Sequence, residues 1–296
     1  MTDTPFAEAD LPNDQETLPE TAYGFRKRLN FVTQWVANAQ ASCVLDVGCG
    51  TGLFLTAPLA ERFPHIHFVG VDIDDATIRS AQRNNTRPNL EYLLLDQLDV
   101  ARHFDVVVAS EVLEHVEDPL QLMLDMRRRL VPTGTLVLTI PNGYGPFEIA
   151  TFVEVLLRLA GGYEFLRKVK RSLTGAPAGM GEDLRDSLAV SPHLNFFSLR
   201  TIRRLAAATG FTQVGFRPRT FICGFVLTNV LQGERWTGWN ASVADRLPPC
   251  IVSGWMFAFR PSADPTSWRW RRGTISRLRR SLNERRWKMS QLNARS

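Results

Sequence analysis

The stretch Val44-Leu45-Asp46-Val47-Gly48-Cys49-Gly50-Thr51-Gly52 decides the fold of this 296-residue chain. Its apolar start, Cys43–Val47, reads as a short buried strand, and three glycines at alternate positions read as a tight turn at the strand's end. A strand entering a glycine-rich turn and then a helix is a general way of seating a nucleotide-like ligand at a helix N-terminus. The spacing here is GxGxG rather than the GxGxxG of dinucleotide binders. Asp46 stands two residues before the first glycine, where it gains nothing from a pyrophosphate but favours a cationic ligand.

Outward from this loop the chain alternates. Apolar residues at Phe25, Leu29, Val32, Trp35 and Val36 predict a helix before the strand, and Leu53, Phe54, Leu55, Leu59 and Ala60 predict one leaving the loop. Strands are expected at His67–Val71, ending on Asp72, at Leu90–Leu95, ending on Asp96, at Phe104–Ala109, ending on Ser110-Glu111, and at Thr135–Ile140. Asp74 can cap a helix running to Arg83, and Pro119 suits the first turn of a helix to Leu130. After a break, a helix over Ser198–Thr209 stopped by Gly210 and strands at Phe211–Arg217 and Ile251–Arg260 complete the pattern. Strands separated by helices at this rhythm predict an α/β fold with a parallel sheet covered on both faces.

With these residues on the page, "VLDVGCGTG" resembles the first motif of the class I S-adenosylmethionine-dependent methyltransferases, and the likeness extends over roughly residues 23–260. The resemblance implies a Rossmann-like, doubly wound, seven-stranded and mostly parallel sheet with an inserted helical lid. It also implies a cofactor, S-adenosyl-L-methionine, and a set of residues around it. Gly48, Cys49 and Gly50, with Gly52 closing the turn, bring backbone to the methionine moiety, and Asp46 holds its amino group. Asp72, in "VGVDID", grips both ribose hydroxyls, which suits a carboxylate accepting two donors. Asp96 and Gln97 lie beside the adenine, and Ile73 and Ser110 complete the set. Arg28, with Arg26 as the fallback, meets the cofactor carboxylate.

The segment "SEVLEHVEDP" places Glu111, Glu114 and His115 at i, i+3 and i+4, one face of a helical turn. With His193, in "SPHLNFF", they supply four candidate ligands for a divalent ion such as Mg2+. The arrangement resembles the ubiquinone-biosynthesis O-methyltransferases more closely than the small-RNA 2′-O-methyltransferases. Three roles stay open: a metal that acidifies an acceptor hydroxyl, a metal-free site with His193 or His115 as general base beside Glu111, and a structural cap.

Charge is unevenly distributed. Residues 1–20 carry six acids and no base, and with three prolines and no apolar period they are expected to be disordered. Residues 261–296 carry ten Arg or Lys against Asp264 and Glu284, so the net +5 of the chain belongs to this basic tail. The expected organisation is therefore an acidic N-terminus (1–20), a methyltransferase domain (21–260) and the tail. Inside the domain, residues 147–192 read as a lid insertion, with apolar positions from Phe147 to Leu159 followed by bases from Arg167 to Arg171.

The tail has a near-heptad apolar stripe at Ile275, Leu278, Leu282, Met289 and Leu292. Lid (147–171) and tail (268–292) both suit peripheral contact with an anionic membrane; a nucleic-acid partner ranks below it. The four cysteines lack any CxxC spacing, which fits free thiols, and no apolar run reaches the ~18 residues of a membrane span. The expected location is cytoplasmic, at most peripheral at the inner membrane face. The expected reaction is O-methylation of a small or lipid-linked acceptor (a quinone precursor, phenol or sugar). The rivals are N- or C-methylation on the same fold, and a catalytically weak RNA- or membrane-binding module that retains it.

Overall fold

The structure is a computed structural model that describes residues 20–21, 23–149, 152, 156, 192–223, 233–262, 265 and 268–293. Helix α1 (Phe25–Asn38) leads into β1 (Cys43–Val47), α2 (Thr56–Arg62), β2 (His67–Asp72), α3 (Asp75–Asn84) and β3 (Leu90–Leu94). A 3-10 turn (Leu95–Gln97), β4 (Phe104–Ser110), α4 (Pro119–Arg129) and β5 (Leu130–Pro141) follow. Beyond the undescribed part of the lid come α5 (Leu199–Ala208), β6 (Phe211–Pro218), α6 (Glu234–Ala244), β7 (Gly254–Pro261) and α7 (Thr274–Asn293). The seven strands form one sheet in the order β3-β2-β1-β4-β5-β7-β6, with β7 antiparallel to both its neighbours and every other pairing parallel. The architecture is the α/β sheet that the alternation predicts, in the doubly wound, seven-stranded and mostly parallel form that the resemblance implies.

Burial on both faces explains why the strands read as unbroken apolar runs. Val44, Phe68, Val106, Val108 and Val137 turn toward α1 and α2, where they meet Leu29, Val32, Val36 and Leu59. Their immediate neighbours Leu45, Val69, Val107, Ala109 and Leu136 turn the other way, onto Met123, Met126, Ile202 and Leu205. The period-2 alternation of a strand thus feeds two cores from one sheet.

Helix ends follow their capping chemistry. Asp74 accepts from the Thr77 amide, Asp118 from the amides of Leu120 and Gln121, and Ser198 from that of Thr201. Gly210 takes a left-handed φ of 74° after α5.

Two expectations shift here. The helix after the glycine loop starts only at Thr56, because residues 51–55 form turns. Glu20, placed in the acidic N-terminus, is buried, and its carboxylate accepts from the amides of Thr21 and Lys27, fixing the approach to α1. Residues 1–19 lie outside the described residues, as does nearly all of the lid.

The basic tail does something its apolar stripe did not indicate. Its helix α7 packs on the domain, and the face it buries is polar: Ser276, Arg279 and Asn283 are inside, while Ile275 and Leu278 of the apolar stripe are 64% and 59% exposed. Ahead of it, the Trp270 ring packs at 5.1 Å against that of the core residue Phe197. Among the described residues, no helix is long and apolar enough to cross a membrane.

Candidate active site

The strand order reverses between β1 and β4, and the carboxyl ends of the strands there form the crevice in which ligands of such sheets bind. The glycine loop sits in it. Gly48, Gly50 and Gly52 all take left-handed φ angles, 70°, 56° and 75°. A Cβ on Gly48 would lie 2.6 Å from Val112 Cγ2, so the loop backbone rests directly on the turn that follows β4. At Gly52 a Cβ would enter the Tyr92 ring. The amides of Gly48 and Cys49 both donate to the Val71 carbonyl, and the Gly50 amide donates to Asp72 Oδ2 at 3.0 Å, tying loop to β2.

Around the loop, Asp46 is buried and accepts a 2.6 Å bond from the Thr56 hydroxyl. Burial pushes its carboxyl up to about 6, against the pull of Thr56 and Arg28. Asp72 accepts from the Asp74 amide as well as from Gly50. Asp96 and Gln97 lie exposed in the 3-10 turn, with the Gln97 side chain accepting from the Leu94 amide, and Ile73 is 83% exposed at the rim. Ser110 shares a 2.9 Å hydrogen bond with Thr139.

Arg28 projects from α1 into this space, its guanidinium 5.0 Å from the Phe25 ring centroid, and its buried Nε has no hydrogen-bond partner. Burial pulls its pKa down, while Glu111, Asp46 and Glu114 draw it up. A cradle with a guanidinium whose buried Nε is unbonded, an elevated carboxyl and a left-handed glycine turn fits a ligand carrying both a carboxylate and an ammonium, as S-adenosylmethionine does.

The cluster after β4 is arranged differently from its spacing. Residues 111–117 are turns rather than helix, and Glu111 leaves the strand with a φ of 59°. Its carboxylate is therefore turned to other partners and does not join the group that Glu114 and His115 form with His193. One oxygen pairs with Arg219 Nη1 at 2.6 Å and the other accepts from the Thr139 hydroxyl at 2.9 Å. Burial works against the Glu111 charge, but Arg219 and Arg28 hold its carboxyl below the usual carboxylate range.

Glu114, His115 and His193 do converge, with one ligand atom of each within 4.8 Å of the others. The two imidazoles meet edge to face at 4.8 Å. His193 Nδ1 donates to Glu148 Oε1 at 2.5 Å, which leaves the neutral ring with its lone pair on Nε2. His115 Nδ1 lies 3.3 Å from the Pro192 carbonyl. Both carboxylate oxygens of Glu114 are buried without a hydrogen bond, and burial followed by the nearby Glu111 charge raises its pKa well above the usual value. One carboxylate and two imidazoles make a nitrogen-rich set, whereas magnesium takes a near-octahedral shell of oxygens. With Glu111 held by Arg219, the residues present do not fit the expected Mg2+.

Five residues of the site were not singled out by the sequence, and four of them carry no mark in the local pattern. Thr56, Val112, Arg219 and Arg279 reach it from a helix, a turn, a strand end and the tail. Glu148 alone left a trace, as an acid standing inside the apolar run that starts at Phe147.

Comparison with known proteins agrees with this geometry. The model of the methyltransferase domain family matches residues 20–214. The chain belongs to that family and is a class I S-adenosylmethionine-dependent methyltransferase.

Among curated relatives, a ubiquinone biosynthesis O-methyltransferase of Rickettsia typhi is 34% identical over 102 residues, 33% of this chain and 41% of that protein. An uncharacterized methyltransferase of Mycobacterium bovis is 37% identical over 119 residues, covering 39% and 53%. A malonyl-[acyl-carrier protein] O-methyltransferase of Halalkalibacterium halodurans is 26% identical over 157 residues, covering 47% and 56%. The chain spans about half the length of the curated relatives it matches. Among solved structures, PKMT2 of Rickettsia typhi aligns with a TM-score of 0.50 at 16% identity over 85% of this chain and 57% of that one, a likeness of fold.

Proposed function

We propose that this methyltransferase acts on a hydroxyl oxygen of a planar, largely apolar acceptor, with His193 as the general base. The observation that carries this reading is the Glu148–His193 pair beside His115 and the unbonded Glu114, one turn away from the glycine loop. A neutral amine brings its own lone pair to the sulfonium methyl, whereas a hydroxyl gains nucleophilicity as its proton leaves. In the step we envisage, the acceptor oxygen bonds to the methyl carbon while the carbon–sulfur bond breaks toward sulfur. The hydroxyl proton passes to His193 Nε2, and Glu148 steadies the resulting imidazolium through Nδ1. Alignment of oxygen, methyl and sulfur supplies much of the acceleration.

On the cofactor side, we assign Arg28 to the carboxylate, Asp46 to the ammonium and Asp72 to the ribose hydroxyls. Asp96, Gln97, Ile73 and Ser110 flank the adenosyl end. Glu111 is assigned to holding Arg219 beside Arg28 rather than to catalysis or metal binding.

A line of aromatic rings supports an aromatic or quinone-like acceptor. Phe54 meets Phe25 at 4.9 Å, Phe25 meets Tyr23 at 6.1 Å, Tyr23 meets Phe147 at 6.2 Å, and Phe147 lies 6.3 Å from His193. Rings bordering the base offer stacking and edge contacts to a phenol that a sugar would use less well. Ile275 and Leu278, exposed beside the bases of α7, support presentation of that acceptor from a membrane surface.

The test is methyl transfer from labelled S-adenosylmethionine to matched phenol and amine acceptors, with and without a chelator. Transfer to the phenol that survives the chelator and is lost in His193→Gln supports the reading. Transfer to the amine that His193→Gln leaves intact would overturn it.

A further inference from the structure

We infer that Arg279, on the C-terminal helix, is a positioning residue of the active site: by gripping Glu148 it fixes the tautomer and orientation of His193. The inference rests on the role proposed for His193. The basic tail, on this account, completes the site.

The geometry is a relay of three buried side chains. Arg279 Nη2 donates to Glu148 Oε2 at 2.7 Å and to the Glu148 carbonyl at 3.0 Å, while Nη1 donates to the Gly143 carbonyl. The other Glu148 oxygen accepts from His193 Nδ1. One carboxylate is thus held from two sides, and a guanidinium is the side chain that can bond a carboxylate and two carbonyls at once. The fork is fixed in turn by the Phe196 ring, whose centroid lies 3.9 Å from the Arg279 guanidinium carbon.

Burial raises what each member stands to lose. Arg279 and Glu148 have side chains 8% and 1% exposed, so breaking the pair strands a charge away from water. Without Arg279, Glu148 has no reason to keep its second oxygen turned from His193, and the imidazole loses its fixed partner.

Two more contacts, one from α7 and one from the residues just ahead of it, show that the tail braces the base from several directions. Asn283 donates to the His193 carbonyl at 3.2 Å. Arg272 donates to Asn195 Oδ1 at 2.8 Å, and the Asn195 amide group donates to the carbonyls of Leu113 and Val116 on either side of Glu114 and His115. The tail therefore ties down both segments that carry the imidazole pair.

A helix that merely anchored itself would show in stability alone. The discriminating readout is histidine-selective 15N NMR of the full chain, which reports the tautomer of each imidazole without any acceptor. Wild type is expected to show His193, assigned by comparison with His193→Gln, as one tautomer protonated at Nδ1. Arg279→Met is expected to bind S-adenosylmethionine as wild type does, yet to give an averaged His193 signature. Its kcat should fall on the order of a hundredfold, as for a reacting group misplaced by about 1 Å, with the KM for the cofactor unchanged. Arg279→Lys keeps the charge without the fork and should fall between; it also serves if the methionine variant does not fold.

A wild-type His193 signature in either folded variant overturns the inference. Failure of the base assignment reads separately: His193→Gln would then keep its turnover, whatever Arg279 does to the ring.

Discussion

Replacing Asp46 by Asn should make the cofactor-free protein more stable while impairing the cofactor site. Asp46 is buried at the end of β1, with the Thr56 hydroxyl as its hydrogen-bond donor. Asn keeps the shape and an oxygen for that donor but carries no charge. Raising a carboxyl from 3.8 to about 6 costs the folded state up to about 3 kcal/mol once the group ionises, at 1.36 kcal/mol per pH unit.

The sign follows from proton uptake. Between pH 3.8 and 6 the native state holds the proton more tightly than the unfolded chain, so wild type loses stability as pH rises through this window. The variant lacks that loss. Unfolding curves of the two proteins should therefore coincide near the bottom of the window and separate above it. At neutral pH, the Asp46→Asn variant should melt up to roughly 6–12 °C higher, at 2–4 °C per kcal/mol for a domain of this size. Added S-adenosylmethionine should reverse the order, because its ammonium stabilises the wild-type carboxylate and finds no charge in the variant. Equal melting temperatures at neutral pH, or equal stabilisation of both by the cofactor, would refute the reasoning.

Other substitutions test neighbouring parts of the account. Gly52→Ala forces a side chain into a left-handed backbone, at about 1 kcal/mol or more, and into the Tyr92 ring; lowered thermal stability and weakened cofactor binding by calorimetry are expected. Arg280→Ala breaks an ion pair with Glu117, a side chain 67% exposed, so chemical denaturation should show a loss of under about 1 kcal/mol that vanishes in high salt. The double change Ile275→Asp and Leu278→Asp on α7 should reduce sedimentation with anionic vesicles while leaving the melting temperature within a degree or two, as befits two exposed positions.

The sheet was legible because its signals are local. Strands buried on both faces must be apolar throughout, and Asp46, Asp72 and Ser110 mark where three of them reach the crevice. Asp74, Pro119 and Gly210 announce helix ends through capping chemistry that needs no tertiary partner. What stayed hidden depends on pairs far apart in the chain. Glu111, Glu114 and His115 have helical spacing, but the left-handed φ of Glu111 swings its carboxylate to Arg219, more than a hundred residues downstream.

The packing of the tail was hidden for a related reason. The apolar stripe was read for a membrane surface, and Ile275 and Leu278 do stay exposed. The face that is covered holds Arg279, whose partner Glu148 lies 131 residues away, and Asn283, which reaches the His193 backbone. Periodicity reports apolar burial and is blind to a buried ion pair. Helix α6 was unmarked because Gly238 interrupts it and its buried positions include Thr237 and Asn240.

The division of the crevice into a cofactor half and an acceptor half is tested most directly by calorimetric titration with S-adenosylmethionine. Asp72→Ala should bind about a hundredfold more weakly than wild type, since the two charge-assisted hydrogen bonds that we assign it toward the ribose hydroxyls would be worth about 1.5 kcal/mol each. His193→Gln should bind the cofactor as wild type does. Undiminished affinity in Asp72→Ala would contradict the account.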